Sequence, residues 1–184
     1  LLAVNPDVCA WLTLDGTNID YPVLQGESNL SYINTDVYGN FALAGSIFLD
    51  SRNSSTFADV FSLLYGHHME NSQMFGDLDK YRSVDFLQQT NTGTLLVPGG
   101  RYALRVFACI VVSASDDLIY QPLQWQADNV PAMLDRLQAD ALCVDQAAMD
   151  DLRTAQNPKV LCMSTCSSDY TDARTVVLAA MQLE

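Results

Sequence analysis

Positive charge is scarce in this chain: 9 Lys and Arg stand against 22 Asp and Glu, for a formal net charge of −13. A nucleic-acid surface needs clustered cations to neutralise phosphates, and these few are scattered, so a nucleic-acid partner is excluded. Long apolar runs are missing as well. The longest candidate, Val106 to Val112, is far below the roughly 20 residues of a membrane-spanning helix and reads as a buried strand. No signal peptide is visible. An even cysteine count is lacking too. Five cysteines (Cys9, Cys109, Cys143, Cys162 and Cys166) stand at irregular spacing, unlike a disulfide-dense secreted scaffold, and at least one thiol stays unpaired within the chain.

What is present is enough for one domain with a sizeable core: 184 residues, 49% hydrophobic and 17% charged. Strand-like segments dominate. Trp11 to Leu14 precedes the turn dipeptide Asp15-Gly16, and Asn18 to Leu24 resumes a strand in which Pro22 marks an edge or a bulge. Gly45 to Asp50, Val60 to Tyr65, Thr94 to Val97, Tyr102 to Ser113, Val160 to Met163 and Thr175 to Met181 follow the same apolar or β-branched pattern. Ser72 to Tyr81 reads as a short helix. A clearer helix opens after Asp128-Asn129 as cap, with Pro131 in its first turn and Val130, Met133, Leu134, Leu137 and Ala141 at helical spacing. Ala147 to Thr154 reads as a second, stopped by Asn157-Pro158. The reading is one β-dominated unit with helical insertions.

Three residues can carry chemistry. Cys166 ends the segment Leu161-Cys-Met-Ser-Thr-Cys166, where a strand gives way to Ser167, Ser168 and Asp169. A thiol there is held by a rigid sheet yet accessible, and it needs a base or a positive charge nearby to act as a thiolate. His67 and His68, the sole histidines, follow a hydrophobic strand and Gly66. Neighbours on an extended strand point to opposite faces, so at most one of the two enters a given site. Arg174 follows Cys166 by eight positions and opens a β-branched run, so a hairpin would set it beside Cys166 as a donor to a carbonyl or oxyanion. Each has a structural alternative. Cys166 can be a buried packing thiol, the histidines a loop pair, and Arg174 a solvated partner of Asp172 or Asp169.

Together these motifs resemble the sortase family: strand-Gly-His, then a strand ending Ser-Thr-Cys, then Arg after a short turn. The similarity extends to Asn5-Pro-Asp7 with Trp11, Asp15 to Val23, Gly45 to Asp50, Tyr65-Gly-His-His-Met69 and Met74-Phe-Gly-Asp77, and is strongest to class B. It implies a mainly β fold, a closed mixed β-barrel of about eight strands with helical insertions. The helical region at 129–155 matches the insertion that marks class B. One catalytic domain over 1–184 is expected, with an upstream membrane anchor and a location on the extracellular face of a Gram-positive cell membrane.

The resemblance implies His67, Cys166 and Arg174 as catalytic residues and Thr165 and Ser164 as substrate-binding ones, with His68 dispensable and neither metal nor cofactor. The implied reaction cleaves a sorting-signal peptide of LPXTG or NPXTX type after Thr, through a Cys thioester. The acyl group then passes to an amine of a peptidoglycan precursor or a pilin Lys. Cys162 departs from the family pattern, and an extended i, i+4 pair is too far apart to bridge to Cys166. Two alternatives stay open. Other Cys/His hydrolases place their motifs in a different order. A non-catalytic or metal-binding module using His67 or His68 with Cys162 and Cys166 would leave Arg174 unexplained.

Overall fold

A computed structural model describes residues 3–166 and 171–184, with Cys166 described by its backbone alone. The strands are β1 (Val8–Leu14), β2 (Asp20–Leu24), β3 (Ile47–Leu49), β4 (Phe61–Tyr65), β5 (His68–Met69), β6 (Gln73–Met74), β7 (Thr92–Val97), β8 (Gly100–Ser113), β9 (Ala141–Val144), β10 (Val160–Cys166) and β11 (Ala173–Leu183). The α-helices are α1 (Val84–Gln89), α2 (Asp117–Tyr120), α3 (Val130–Asp140) and α4 (Gln146–Thr154).

Around the sheet the order is β11, β10, β4, β3, β2, β1, β7, β8, and β8 pairs back onto β11 to close a barrel. Closure leaves these eight strands without a free edge, which answers the aggregation hazard of open sheets. The barrel is mixed because β10 runs parallel to β4 and β2 parallel to β3. The expected closed mixed barrel is the fold observed. Pro22 lies beyond the short β3, which pairs only with Val23 and Leu24, so its missing N–H costs no ladder bond there.

Two apolar layers sandwich the wall formed by β8, β10 and β11. Leu161, Met163, Val177 and Ala179 enter the barrel interior, while their neighbours Val160, Cys162, Val176 and Leu178 pack outward beneath the helices. A strand buried on both faces reads as a continuous apolar run, which is why these segments stood out in sequence. In α3, Val130, Met133, Leu134 and Leu137 are all buried against this outer layer, together with Met149 and Leu152 of α4.

Several local expectations need correction. Ser72 to Tyr81 is not an α-helix: β6 occupies Gln73–Met74 and a 3₁₀ helix spans Gly76–Arg82. Ser72 and Met74 adopt left-handed backbone (φ 60° and 50°), which no continuous helix tolerates. Asn129 flanks α3 without capping it, since its Oδ1 accepts from the Gln126 N–H instead. Ala141 is not on the helix but opens β9, which pairs with β8. That pairing comes from tertiary contact, and local spacing gives no sign of it. Among the described residues no helix is long and apolar enough to cross a membrane.

Candidate active site

The parallel pair β4–β10 sets Ser164 opposite Tyr65, so both strands end at the same rim of the barrel. Gly66 extends the join by donating to the Ser164 carbonyl at 3.2 Å. The antiparallel pair β10–β11 sets Thr165 opposite Thr175 and Cys166 opposite Arg174. The β10–β11 hairpin and the sequence-distant end of β4 thereby bring His67, the Ser164–Cys166 backbone and Arg174 to one rim. A cleft of about 360 Å³ opens there, bordered by His67, Ser164, Thr165 and Arg174, with Asn29, Ile33, Phe48, Tyr65 and Tyr120 among its other walls.

His67 is fixed from the β2–β3 connection. Its Nε2 lies 2.6 Å from the Ile33 carbonyl. A carbonyl oxygen only accepts, so Nε2 is the donor in this contact. Two glycines allow this arrangement. Gly45 has φ 58°, and a Cβ there would lie 2.3 Å from the same Ile33 oxygen. A Cβ on Gly66 would sit 2.4 Å from Ile47 Cδ1 and 2.7 Å from the Phe75 ring. Hence the residue before His67 has no room for a side chain.

His68 turns elsewhere. Its Nε2 meets Asp79 Oδ2 at 2.9 Å, and Asp79 Oδ1 accepts from the buried Thr175 hydroxyl at 3.0 Å. Only His67 borders the cleft, as strand alternation leads one to expect. Arg174 donates to the Ala173 carbonyl at 2.9 Å while bordering the cleft. Its alternative partner Asp169 lies outside the described residues, as do Ser167 and Ser168. Thr165 is buried, and its Oγ1 has no hydrogen-bond partner among the described residues. Ser164 Oγ shares a 2.8 Å hydrogen bond with the Tyr120 hydroxyl.

Behind the cleft lies a polar network that sequence reasoning missed. Asp50 follows the buried β3, is itself fully buried, and accepts from Arg52 Nε and Nη2, each at 2.8 Å. It also accepts from the Tyr65 hydroxyl at 2.9 Å and Asn29 Nδ2 at 3.0 Å. Burial pushes the Asp50 carboxyl up, but these donors, Arg52 foremost, outweigh it and hold the carboxyl below its usual range. Burial, followed by the Asp50 charge, pushes the Tyr65 phenol well above its ordinary value, so it stays a donor. Arg52 continues to the Tyr120 carbonyl at 3.0 Å, and Tyr120 stacks on Tyr65 with ring centroids 6.3 Å apart. One charged pair thus joins three walls of the cleft. The available signal was an Asp-x-Arg step directly after a buried apolar run, where a charge must find partners.

Cys162 lies in the outer apolar layer, fully buried as a free thiol, where burial raises its pKa. Among the described residues no three His, Cys, Asp or Glu side chains cluster as a metal site would require.

Comparison with known proteins agrees with this fold. Residues 12–182 match the Sortase domain family model. Sortase B of Listeria monocytogenes is 32% identical over 181 residues, which cover 96% of this chain and 70% of the relative. Among solved structures, a Streptococcus pyogenes class B sortase involved in pilus biogenesis superimposes with TM-score 0.86 at 35% identity, covering 98% of this chain and 95% of that one. A Staphylococcus aureus sortase B–substrate complex gives TM-score 0.85 at 28% identity, covering 98% and 82%. The closed mixed barrel, the family match along nearly its whole length and its class B likenesses make this chain a member of the sortase family of cysteine transpeptidases.

Proposed function

We propose that Cys166 is the nucleophile, His67 the general acid and base, and Arg174 the oxyanion donor of a transpeptidase acting on sorting signals of LPXTG or NPXTX type. The observation that carries this reading is the double register at the end of β10. Strand β4 delivers His67 on one side, and β11 sets Arg174 in ladder register with Cys166 on the other.

In the first step the Cys166 thiolate attacks the carbonyl carbon of the signal's Thr, and its oxygen gains charge that the Arg174 guanidinium and backbone N–H groups stabilise. The C–N bond breaks as His67 protonates the departing amine, leaving an acyl thioester. In the second, an incoming amine gives a proton to His67 and takes the acyl group, releasing Cys166 as thiolate. Ser164 and Thr165 line the peptide's path. The peptide lies between Ile33, Phe48 and Tyr120 on the apolar side and Arg174 on the polar side.

The acceptor is an amine of a peptidoglycan precursor or a pilin Lys. The enzyme works as one catalytic domain at the outer face of a Gram-positive membrane, held by an anchor. The pilus role of the Streptococcus pyogenes relative supports a pilin acceptor, and the Staphylococcus aureus complex supports a substrate-binding role for the fold. Intact-protein mass spectrometry after incubation with LPXTG-type and NPXTX-type peptides tests it. The expected result is an adduct equal to the amino-terminal peptide fragment through Thr, absent in Cys166→Ala. An adduct that persists in that variant overturns the assignment.

A further inference from the structure

Cys109 of β8 and Cys143 of β9 are direct partners across an antiparallel ladder. Such partners share one face of the sheet, with Cα atoms about 4.5 or 5.5 Å apart according to the hydrogen-bonding position. A disulfide needs a Cα separation of about 4.4–6.8 Å, so either spacing can be bridged. Both side chains are free thiols in the interior cluster, Cys109 fully buried and Cys143 6% exposed. The Cys143 thiol donates to the Tyr81 carbonyl at 2.8 Å and feels the backbone N–H of Cys109. No other described cysteine competes. Cys9 donates to the Val23 carbonyl from β1, and Cys162 packs on the opposite face of the barrel wall.

We propose that Cys109 and Cys143 form a disulfide site that staples the helical insertion to the barrel wall. Strand β9 sits between α3 and α4 and continues the edge of β8 beyond β7. A bond there closes the connection carrying α2 and α3, including Tyr120 on the cleft wall. In the oxidation both thiols give up their hydrogens and two electrons to a disulfide-bearing oxidant, such as oxidised glutathione or a thiol–disulfide oxidoreductase. One S–S bond forms in the chain, and the oxidant's S–S bond is reduced to two thiols. Exchange proceeds through a thiolate. Burial pushes the Cys109 thiol up to about 12 and raises Cys143 as well, so the finished barrel resists exchange. The bond therefore closes during folding, before β9 seals against β8, and persists afterwards as a staple.

The test is to unfold and reduce the chain, refold it in reduced and oxidised glutathione, then alkylate it under denaturing conditions and map the peptides without reduction. The expected result is alkylation of three of the five cysteines and a linked peptide pair containing Cys109 and Cys143. Reduction of the refolded protein should lower Tm by several degrees, given the long connection closed. Cys143→Ala should alkylate completely and show no Tm response to reductant. The linked pair should survive in Cys166→Ala, which separates this inference from the transfer mechanism. Five alkylated thiols in the wild type, glutathione retained on either cysteine, or a link joining any other pair overturns the proposal. Because the wild-type map decides, the outcome does not depend on a variant that folds.

Discussion

Arg174 and Cys166 are ladder partners, the pair nearest the chain connection between β10 and β11. A pair in that position shares one rim of the barrel, and the parallel neighbour β4 delivers His67 to the same rim through Gly66. The guanidinium is part of a long strand that also pairs with β8, at Val112, so its backbone is held on both sides. For the oxyanion donor proposed above this matters, since a backbone already held needs little reorganisation when charge develops.

Cys166→Ala is expected to abolish peptide transfer while leaving the far-UV circular dichroism spectrum unchanged. Arg174→Ala should reduce kcat/KM by about 10²–10³-fold, the usual cost of losing one oxyanion donor. Arg174→Lys should recover only part of this, because an ammonium lacks the planar fork. Steady-state kinetics on a fluorogenic sorting-signal peptide measures both.

His67→Ala should lower turnover by about 10²–10⁴-fold, the range for losing a general acid–base group. His68→Ala should cost far less, because His68 faces Asp79 and does not border the cleft. An inactive His68→Ala beside an active His67→Ala would reverse the assignment of the imidazole.

Gly66→Ala should impair both stability and turnover. The added Cβ meets Ile47 and the buried Phe75 ring, an overpacking that costs about 1–3 kcal/mol, and relief of the clash displaces His67. Urea denaturation with a parallel activity assay checks this. Full activity with an unchanged unfolding midpoint would rule the clash out.

The Asp50 network makes a pH prediction. A carboxyl whose pKa is depressed by folding adds stability that is fully present above its unfolded value of about 3.9 and is lost as pH falls through the folded value. The urea midpoint of the wild type should therefore hold steady down to about pH 5 and fall below about pH 4. Asp50→Asn should be less stable at neutral pH, with a gap to wild type that narrows in acid. Arg52→Ala should cost about 2–3 kcal/mol at pH 7 by leaving the buried carboxylate without its charged donor. A gap between Asp50→Asn and wild type that stays constant from pH 7 to pH 3 would refute the depressed carboxyl.

Local patterning was enough for the β-rich class, for α3 with its buried stripe and for most of the strands, because alternation and helical spacing record which face each segment buries. The family-like motifs also named His67, Cys166 and Arg174 without coordinates, since those residues stand beside short, recognisable strand ends. The sequence could not reveal β9, or the Asp50 partners at Asn29 and Tyr65, or the bridge from Arg52 to Tyr120. Those depend on segments meeting after the barrel closes. The parallel β4–β10 pairing is of the same kind: its strands are separated by nearly a hundred residues, and no local periodicity specifies which strand becomes whose neighbour. Sequence alone determined which residues could do the chemistry. Closure of the barrel decided that His67 and Arg174 border one cleft at the end of the Cys166 strand, because only the completed ladder brings the end of β4 and the start of β11 to the same rim.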